Sequence, residues 1–470
     1  MFKKINDIIE GIGEARLFWL AALILLLPSL GVADLWTQEW RWADIVWRMR
    51  FSHDYFNPNL AGQAYYDKPL LSYWFMVLTT HVIGLNGWGL RLPSVVAGFI
   101  ALGCVRRLAR QLFDLSVAKL ASWMLLTTYF FVFWSRVASA DMLNVAGMLL
   151  AITWYYAHRL KTDFISYFGF FLIVAVFSLI KGPVVGVLSL IVVLTDSFYT
   201  KTLTRHLNIK LLSAILLSIA VYSVPFLVAH NSSTSENSFY LVYRENILRF
   251  FQPFDHQGAW YTYFLYLPLY LLPWSLVVPL LLSKKIKNKA MNTLEQRAFF
   301  ISLWVMFVFF TLSGSRRSYY ILPMVSLVVM SMAFYVRSVK EKLYPYIAII
   351  YALLLLWFVL FPVVYYRSHG IQVFSAEIKR HAEEIKPWSS WQVIMVQADD
   401  RVGFYLQSAR PPQSYRAYTD VKDKQSLWQA SQIVVVPSSL LPQLKKDGLP
   451  AGARIVADKA TFPRFLALIL

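Results

Sequence analysis

Five short stretches bring charged and aromatic side chains together in an otherwise apolar sequence. They are "DLWTQEWRWADI" (34–45), "YYDKP" (65–69), "SRVASADML" (135–143), "LIKGPV" (179–184) and "SGSRRSYYILP" (313–323). We single out from them the carboxylates of Glu39, Asp44, Asp67 and Asp141 and the cations of Arg41, Lys68, Lys181, Arg316 and Arg317. Cations bind phosphate, and a carboxylate can deprotonate or orient a hydroxyl nucleophile. The set predicts a site that holds an anionic, lipid-linked group while a carboxylate activates an acceptor.

Several of these stretches also have a purely structural explanation. The stretch around Glu39 is rich in tryptophan and could form an amphipathic helix that simply lies on the membrane surface. Asp141 precedes an apolar segment, where a carboxylate stabilises a helix N-terminus. Lys181 stands before the helix-breaking pair Gly182-Pro183 and could extend its ammonium group to the membrane edge. These explanations stay open for each residue taken alone.

The composition identifies the class of protein. Of 470 residues, 58% are hydrophobic and 15% are charged, whereas about a quarter of the residues in a soluble domain are charged. The sequence therefore predicts a polytopic membrane protein. Its single cysteine, Cys104, excludes an intrachain disulfide and a cysteine-based metal site. The net charge of +19 comes from basic clusters between apolar segments, which indicates membrane topology rather than nucleic-acid binding.

Eleven apolar segments are long enough for a helix across the hydrocarbon layer. They lie near 17–33, 92–110, 117–135, 142–157, 164–180, 183–199, 210–229, 261–282, 298–313, 319–336 and 345–366. With the N-terminus in the cytoplasm, every second loop is basic, as the positive-inside rule requires. A further segment at 70–86 would reverse that pattern if it crossed the membrane, so we predict an interfacial or re-entrant helix there. An alternative for the first segment is a signal peptide, because "GVA" before Asp34 resembles a cleavage site.

This topology places the polar stretches on one side of the membrane. The outer loops lie at 34–91, 136–141, 181–182, 230–260 and 313–318. After about residue 367, short β-branched runs such as "WQVIMVQADD" and "SQIVVVPSS" accompany the helical pattern "FSAEIKRHAEEI". We predict a transmembrane domain at 1–366 and a small α/β domain on the outer face at 367–470. The sequence has no P-loop, GxGxxG or HExxH motif, so nucleotide-binding and zinc-peptidase functions have little support.

Six motifs resemble, in order, those of a family of bacterial GT-C glycosyltransferases. The family includes the lipid A aminoarabinose transferase and is related to the protein O-mannosyltransferases. The motifs are "QEWRWADI" (38–45), "YDKPLLSYW" (66–74), "RLPS" (91–94), "SADML" (139–143), "IKGPV" (180–184) and "YYILP" (319–323). The resemblance implies a GT-C fold of about 11 transmembrane helices, interfacial helices in the first periplasmic loop, and a periplasmic C-terminal α/β domain.

The resemblance also implies an activity. Members of this family transfer a sugar, with inversion, from a polyprenyl phosphate to a lipid, glycan or protein acceptor on the periplasmic face of the inner membrane. The carrier is usually undecaprenyl phosphate. By resemblance, Arg41, Lys68, Lys181 and Tyr320 bind the carrier phosphate, and Asp141 belongs to the active site. We expect no cofactor requirement and no nucleic-acid partner.

The sequence departs from the family at Gln38, where the family has the aspartate presumed to be its catalytic base. An amide cannot accept a proton at neutral pH. Glu39 matches the neighbouring family glutamate and is the nearest carboxylate that could take over, so we predict it as the base. Asp44, which matches a later family acid, and Asp141 are the alternatives.

Four further residues are predicted to be accessory. They are Asp67, Arg316, Arg317 and His256. Asp67 replaces a family glutamate before Lys68. His256 and Asp67 could share a divalent metal, but no metal is predicted, because the basic residues can neutralise the phosphate leaving group instead.

Two other classes of function stay open. The amide at Gln38 is consistent with a family member that has lost glycosyltransferase activity and serves as a lipid-binding membrane scaffold. Charged residues near membrane depth also occur in transporters. A transporter is the weaker alternative, because the sequence shows neither internal repeats nor interrupted helices in matching halves.

Overall fold

The computed structural model describes residues 13–65, 67–232, 258–281, 291, 293–408, 411–421, 423–457 and 464–470. A bundle of helices comes first, and a small mixed sheet with its own helices follows. Each of the eleven predicted apolar segments contains α-helix among its described residues, although residues 27–33 of the first segment form turns and bends. The long apolar runs therefore predicted the positions of the helices correctly.

The bundle contains seventeen described α-helices. The first nine are α1 (Glu14–Leu26), α2 (Glu39–Ser52), α3 (Leu71–Ile83), α4 (Gly87–Leu112), α5 (Leu115–Leu126), α6 (Tyr129–Ser135), α7 (Ala140–His158), α8 (Phe164–Lys181) and α9 (Val184–Tyr199). The others are α10 (Leu203–His206), α11 (Ile209–Ser232), α12 (Thr262–Tyr270), α13 (Trp274–Leu281), α14 (Leu294–Leu312), α15 (Leu322–Val336), α16 (Lys340–Leu355) and α17 (Phe361–Tyr365). A short hairpin, β1 (Asn59–Leu60) with β2 (Gln63–Ala64), follows α2.

Several of these helices are long and apolar enough to cross a membrane. Among the described residues, five helical stretches meet that condition: Gly87–Leu112, Phe164–Lys181, Ile209–Val228, Leu294–Leu312 and Ser318–Tyr365. The bent pair α5 and α6, with an angle of 68° between them, makes a sixth if it counts as one span. The last stretch has 48 residues; it contains the predicted span 319–336 and all but the last residue of the predicted span 345–366. These features indicate a multi-pass membrane protein.

Helix α3 is shorter than a membrane span. It has 13 residues, or about 20 Å at the α-helical rise, whereas the hydrocarbon layer is about 30 Å thick. It ends at Gly84, whose φ of +103° favours glycine. It packs against α2 and α4. This length agrees with the interfacial or re-entrant helix predicted for 70–86, whose relation to the membrane stays a prediction.

Helix α4 forms the centre of the bundle and packs against α3, α5 and α7. Small residues permit the close approach of such helices, and Ala97 and Ala101 are fully buried. At Gly98 there is no room for a side chain, because an added Cβ would lie 2.7 Å from the Ser135 Oγ. This packing fixes the segment between α6 and α7, which carries part of the candidate site.

The C-terminal domain is built around a five-stranded sheet with strand order β4-β3-β5-β7-β6. Its elements are α18 (Ile371–Glu383), β3 (Gln392–Val396), α19 (Asp400–Leu406), β4 (Gln413–Tyr415), β5 (Gln432–Pro437), α20 (Leu441–Lys446), β6 (Arg454–Ala457) and β7 (Phe465–Ile469). Strand β3 is parallel to β4 and β5, and β7 is antiparallel to β5 and β6. Both faces of β3 and β5 are buried, which explains their continuous apolar sequences.

Helix α19 packs against α2 of the bundle, and Asp400 lies at this interface. Burial, and then the neighbouring carboxylates of Asp44 and Asp399, raise the pKa of Asp400 from 3.8 to about 6, although Arg416 and Arg48 oppose the shift. Because this pKa lies above that of an unfolded aspartate, the contribution of Asp400 to stability is full at acidic pH and lost as the pH rises through about 6.

We expect Asp400→Asn to raise the thermal unfolding midpoint at about pH 8 and to leave it unchanged at about pH 4.

Glu383→Gln is the matched control for this measurement. Glu383 belongs to the same domain and is exposed, so its loss should not alter the pH dependence of the midpoint. A difference between Asp400→Asn and the wild type that does not grow with pH would contradict the assignment.

Candidate active site

Residues from distant parts of the chain converge on one cavity, which we call the polar cavity. It is lined by Gln38, Arg41, Trp42, Ile45, Tyr65, Asp67, Lys68, Tyr73, Ser139, Ala140, Asp141, Lys181, Arg317, Tyr319 and Tyr320. These residues come from α2 and its N-cap, from the segment before α3 and its first turn, from the start of α7, from the end of α8, and from residues 317–320. The structure therefore brings together most of the charged residues that the sequence singled out.

Asp141 and Lys181 form an ion pair on one wall of the polar cavity. Asp141 lies in the first turn of α7, where the Ser139 Oγ accepts a hydrogen bond from its backbone N–H (3.2 Å). Lys181 is the last residue of α8 and donates from Nζ to the Asp141 Oδ1. Its Nζ also lies 4.7 Å from the ring centroid of Tyr320 and 5.4 Å from that of Tyr319. A carboxylate and two aromatic faces therefore hold the ammonium group in place.

The chain turns sharply after Lys181. Gly182 has a φ of +89°, a conformation that glycine adopts without strain, and α9 begins two residues later at Val184. Because α7 begins and α8 ends at this same end of the bundle, Asp141 and Lys181 meet there. The breaker pair in the sequence correctly indicated a turn, and the turn places the cation at its edge.

The lining of the polar cavity contains a second charged pair. The Lys68 Nζ lies 2.9 Å from the Asp67 Oδ2, and the Tyr65 hydroxyl donates to the same oxygen (3.0 Å). Burial, and then the charge of Asp67, raise the pKa of Tyr65 to about 12, and Arg41 interacts with the same hydroxyl. Tyr65 therefore stays a neutral donor at physiological pH.

The formal charge of the polar cavity is positive. Its lining contains the cations of Arg41, Lys68, Lys181 and Arg317 and the carboxylates of Asp67 and Asp141. Four positive and two negative charges leave a balance of +2. Such a balance complements a phosphate group that gains negative charge as a bond to it breaks.

An open mouth adjoins the polar cavity. Gln38, Arg41, Arg317 and Tyr319 line both spaces, and the mouth is completed by Gly258, Thr262, Tyr266, Arg316 and Ser318. Arg316 donates to the carbonyl oxygens of Gly258 (2.6 Å) and Thr311 (2.8 Å). Of the two arginines that were predicted to be accessory, Arg317 thus reaches the polar cavity, whereas Arg316 connects backbone segments at its mouth.

Glu39 is fully buried and lies outside the lining of the polar cavity. Its two oxygens accept from Arg91 Nε (2.8 Å) and Nη2 (2.7 Å). They also accept from the backbone N–H groups of Trp36 (2.6 Å) and Ala138 (2.6 Å). A catalytic base must reach its acceptor, so this geometry favours a structural role for Glu39 over the predicted catalytic one.

Helical geometry explains why Glu39 faces elsewhere. The side chains of α2 that line the polar cavity are Arg41, Trp42 and Ile45, and Gln38 precedes them. Gln38, Arg41, Trp42 and Ile45 have the spacing i, i+3, i+4 and i+7, which describes one helix face. Glu39 is about 100° away from Gln38 and points to Arg91.

Asp44, the other predicted catalytic acid on α2, also lies outside the polar cavity. Its Oδ2 accepts from the Arg48 Nε (2.7 Å) and from the backbone N–H of Ala61 (2.8 Å). Ala61 belongs to the turn between β1 and β2. Asp44 therefore holds this turn against α2.

Sequence reasoning missed three residues of this region. Arg91, within the quoted "RLPS" motif, is the partner of Glu39. Tyr65 and Tyr319 stand in two other quoted stretches and line the polar cavity. Aromatic residues beside charge pairs were the available signal for both tyrosines. His256 lies outside the described residues, so its accessory role and the metal site with Asp67 stay untested.

Comparison with known proteins gives consistent results. Residues 67–234 match the family described as dolichyl-phosphate-mannose-protein mannosyltransferase. The chain is 26% identical over 341 residues to undecaprenyl phosphate-alpha-4-amino-4-deoxy-L-arabinose arabinosyl transferase 2 of Proteus mirabilis, covering 70% of this chain and 60% of that protein. It is 26% identical over 314 residues to the corresponding transferase 1 of Pseudomonas fluorescens, covering 64% and 55%. The chain thus spans less than two thirds of the length of these relatives.

A solved structure has the same fold. ArnT from Cupriavidus metallidurans, bound to undecaprenyl phosphate, superposes with a TM-score of 0.72 and 19% identity over 97% of this chain and 98% of that one. The apo form of the same protein gives a TM-score of 0.67. The predicted GT-C membrane fold is thereby confirmed in its overall architecture. The chain therefore has the GT-C fold and is similar in sequence to the undecaprenyl phosphate-alpha-4-amino-4-deoxy-L-arabinose arabinosyl transferases.

Proposed function

We propose that the protein transfers a sugar from a polyprenyl phosphate, expected to be undecaprenyl phosphate, to lipid A or another lipid acceptor with inversion. The observation that carries the proposal is the polar cavity, in which four cations surround two carboxylates. Two further findings support it. The curated relatives are named as undecaprenyl phosphate-dependent arabinosyl transferases, and the matching fold was solved with undecaprenyl phosphate bound.

The cations stabilise the leaving group in this proposal. As the bond between the anomeric carbon and the phosphate oxygen breaks, a phosphodiester becomes a phosphate monoester and gains negative charge. Arg41, Lys68 and Lys181 meet that charge at fixed positions, so they bind the transition state more tightly than the donor. Tyr320, stacked on Lys181, keeps the ammonium group directed into the polar cavity.

Asp141 activates the acceptor in the same proposal. Gln38 cannot take a proton, and Glu39 is buried against Arg91. Asp141 lines the polar cavity beside Lys181. With Lys181 held between Asp141 and the phosphate, the Asp141 carboxylate accepts the proton of the acceptor hydroxyl, whose oxygen forms the new bond to the anomeric carbon as the bond from that carbon to the phosphate oxygen breaks.

We place the reaction on the periplasmic face of a bacterial inner membrane, with a cytoplasmic N-terminus. The basic clusters in every second loop of the sequence support this orientation. It leaves the polar cavity and the C-terminal domain on the face opposite those clusters.

Proteoliposomes that contain the full chain and a radiolabelled polyprenyl-phosphate sugar test the function. The proposal expects release of polyprenyl phosphate together with label on the added lipid A. Donor binding without release would instead support a lipid-binding scaffold, and label inside the vesicles would support a transporter. Vesicles that contain Asp141→Asn, which keeps the size of the side chain, are the control for protein-dependent transfer.

A gain of function is expected for Gln38→Asp. Gln38 lines both the polar cavity and its mouth, so a carboxylate there would lie beside Arg41. If the acceptor is a hydroxyl, we expect faster transfer, by about tenfold or more, because positioned general bases contribute at least that much. The measurement is the rate of label transfer, with Gln38→Asn as the control that shortens the side chain without adding charge. An unchanged rate would argue against proton removal at this position.

A further inference from the structure

The helix that carries Arg41 also contacts the C-terminal domain. Helix α2 lines the polar cavity with Arg41, Trp42 and Ile45. Its residues Ala43, Val46 and Met49 are buried in a hydrophobic cluster. Phe404 of α19 is 2% exposed and belongs to this cluster, whose other buried members come from residues 35–138. The C-terminal domain thus inserts one side chain into the core that supports α2.

Polar contacts bind the segment immediately before α2. The Leu35 backbone N–H donates to the Tyr405 hydroxyl (2.7 Å), and the Leu35 carbonyl accepts from the Arg401 Nη1 (2.9 Å). The C-terminal domain therefore satisfies both backbone polar groups of a fully buried residue.

The side chain of Asp34, in turn, binds the backbone of the C-terminal domain. Its carboxylate accepts the backbone N–H groups of Ile371 (2.7 Å) and Gln372 (3.0 Å) at the start of α18. A carboxylate at this position satisfies unpaired N–H groups and interacts favourably with the helix dipole. Residues 34 and 35 are consequently held by both α18 and α19.

Helix α2 depends on such support at its N-terminus. Gln38 is the N-cap residue, and its side chain makes no capping hydrogen bond. The buried pair of Glu39 and Arg91 holds the first turn from the bundle, and the contacts to residues 34 and 35 hold the preceding segment from the C-terminal domain. The two anchors lie on either side of Gln38.

We infer that the C-terminal domain is a positioning element for the polar cavity, and that Phe404 and Tyr405 act by fixing α2 and therefore Arg41. This inference rests on the proposed function only for its chemical readout. The domain contributes none of the residues that line the polar cavity in the part of the chain that the structure describes. Its effect on transfer must therefore pass through α2.

The test measures the mobility of α2 directly in the full-length protein. Cys104 is the single cysteine, so a Cys104→Ala background permits one nitroxide label at Phe51→Cys. Phe51 is 51% exposed, lies in the last turn of α2 and is outside the polar cavity. Phe404→Ala and Tyr405→Phe are introduced into this background, and the protein is placed in nanodiscs.

Phe404→Ala is expected to increase label mobility and to lower kcat/KM for the polyprenyl-phosphate donor by about tenfold, through both a higher KM and a lower kcat. Phe404→Leu, which refills the cluster, should restore both values. Tyr405→Phe keeps the shape of the side chain and should cause a smaller change in the same direction. Leu444→Ala is the matched control, because Leu444 is fully buried on the other face of the same sheet. It should change neither quantity.

Two outcomes would overturn the inference. One is label mobility in Phe404→Ala and Tyr405→Phe equal to that of Leu444→Ala. The other is increased mobility with an unchanged kcat/KM, since Arg41 would then not depend on α2 being fixed. A wild-type protein that neither binds nor uses the donor would refute the proposed function instead, while the mobility comparison would still decide whether the domain fixes α2.

Discussion

Lys181→Ala is expected to reduce transfer from the polyprenyl-phosphate donor by about 100-fold or more, the usual effect of removing one preorganised electrostatic group from a transition state. Lys181 is the cation whose position is most completely determined, since Asp141 and the rings of Tyr319 and Tyr320 surround it. The side chain of Lys181 is 13% exposed, so water cannot readily take the place of the missing ammonium group. Initial rates of polyprenyl phosphate release in proteoliposomes measure the effect.

The double variant Lys181→Ala/Asp141→Ala separates catalysis from stability. Loss of Lys181 alone leaves a mostly buried carboxylate without its partner, which destabilises the fold. Removal of both partners should return the thermal unfolding midpoint towards the wild-type value, whereas transfer should stay low. Recovery of transfer in the double variant would show that the pair serves folding alone.

Lys119→Ala is the control for removal of a lysine from the helix bundle. Lys119 lies on α5, its side chain is 40% exposed, and its nearest carboxylate, Glu14, is 4.0 Å away. Because an exposed ion pair contributes little, we expect wild-type transfer. A loss of transfer in this variant equal to that of Lys181→Ala would contradict a specific role for Lys181 in the polar cavity.

Glu39→Gln is expected to have the largest effect on stability. The change leaves the Arg91 guanidinium buried without its counter-charge, and breaking such a pair typically costs about 3–5 kcal/mol. The side chains of Arg91 and Glu39 are 6% and 0% exposed, so solvent does not offset the loss. Thermal unfolding in detergent, followed by the tryptophan signal, measures the shift.

Arg91→Met distinguishes the structural role of Glu39 from the catalytic role that its sequence position suggested. If the two residues act as a pair, Arg91→Met and Glu39→Gln should each lower stability and transfer by similar factors. Their double variant should be less harmful than the sum of the two. Full stability with abolished transfer in Glu39→Gln alone would return the catalytic base to Glu39.

Most of the helical architecture could be predicted from the sequence, because a membrane span is a long apolar run and the positions of Lys and Arg indicate its direction. The same reasoning predicted that Asp67, Asp141 and Lys181 would lie close together. Their loops were predicted to lie on one side of the membrane, and the structure places them around one cavity.

The assignment of individual carboxylates could not be predicted in this way. Gln38 and Glu39 are neighbours, yet one lines the polar cavity and the other binds Arg91, 52 residues further along the chain. Arg316 and Arg317 divide similarly between backbone carbonyls and the polar cavity. A shift of one residue along the chain decides each case, and the partner that fixes the side chain is visible only in the folded chain.

The separation between Gln38 and Glu39 has a consequence for which positions of α2 can change. Folding of the first turn of α2 relies on Glu39 and Arg91, whereas the Gln38 side chain makes no capping bond and lines the polar cavity. Position 38 can therefore exchange an acid for an amide without loss of the scaffold. We therefore expect single substitutions at position 38 to change the proposed chemistry of the polar cavity, while the adjacent residue is constrained by its buried partner.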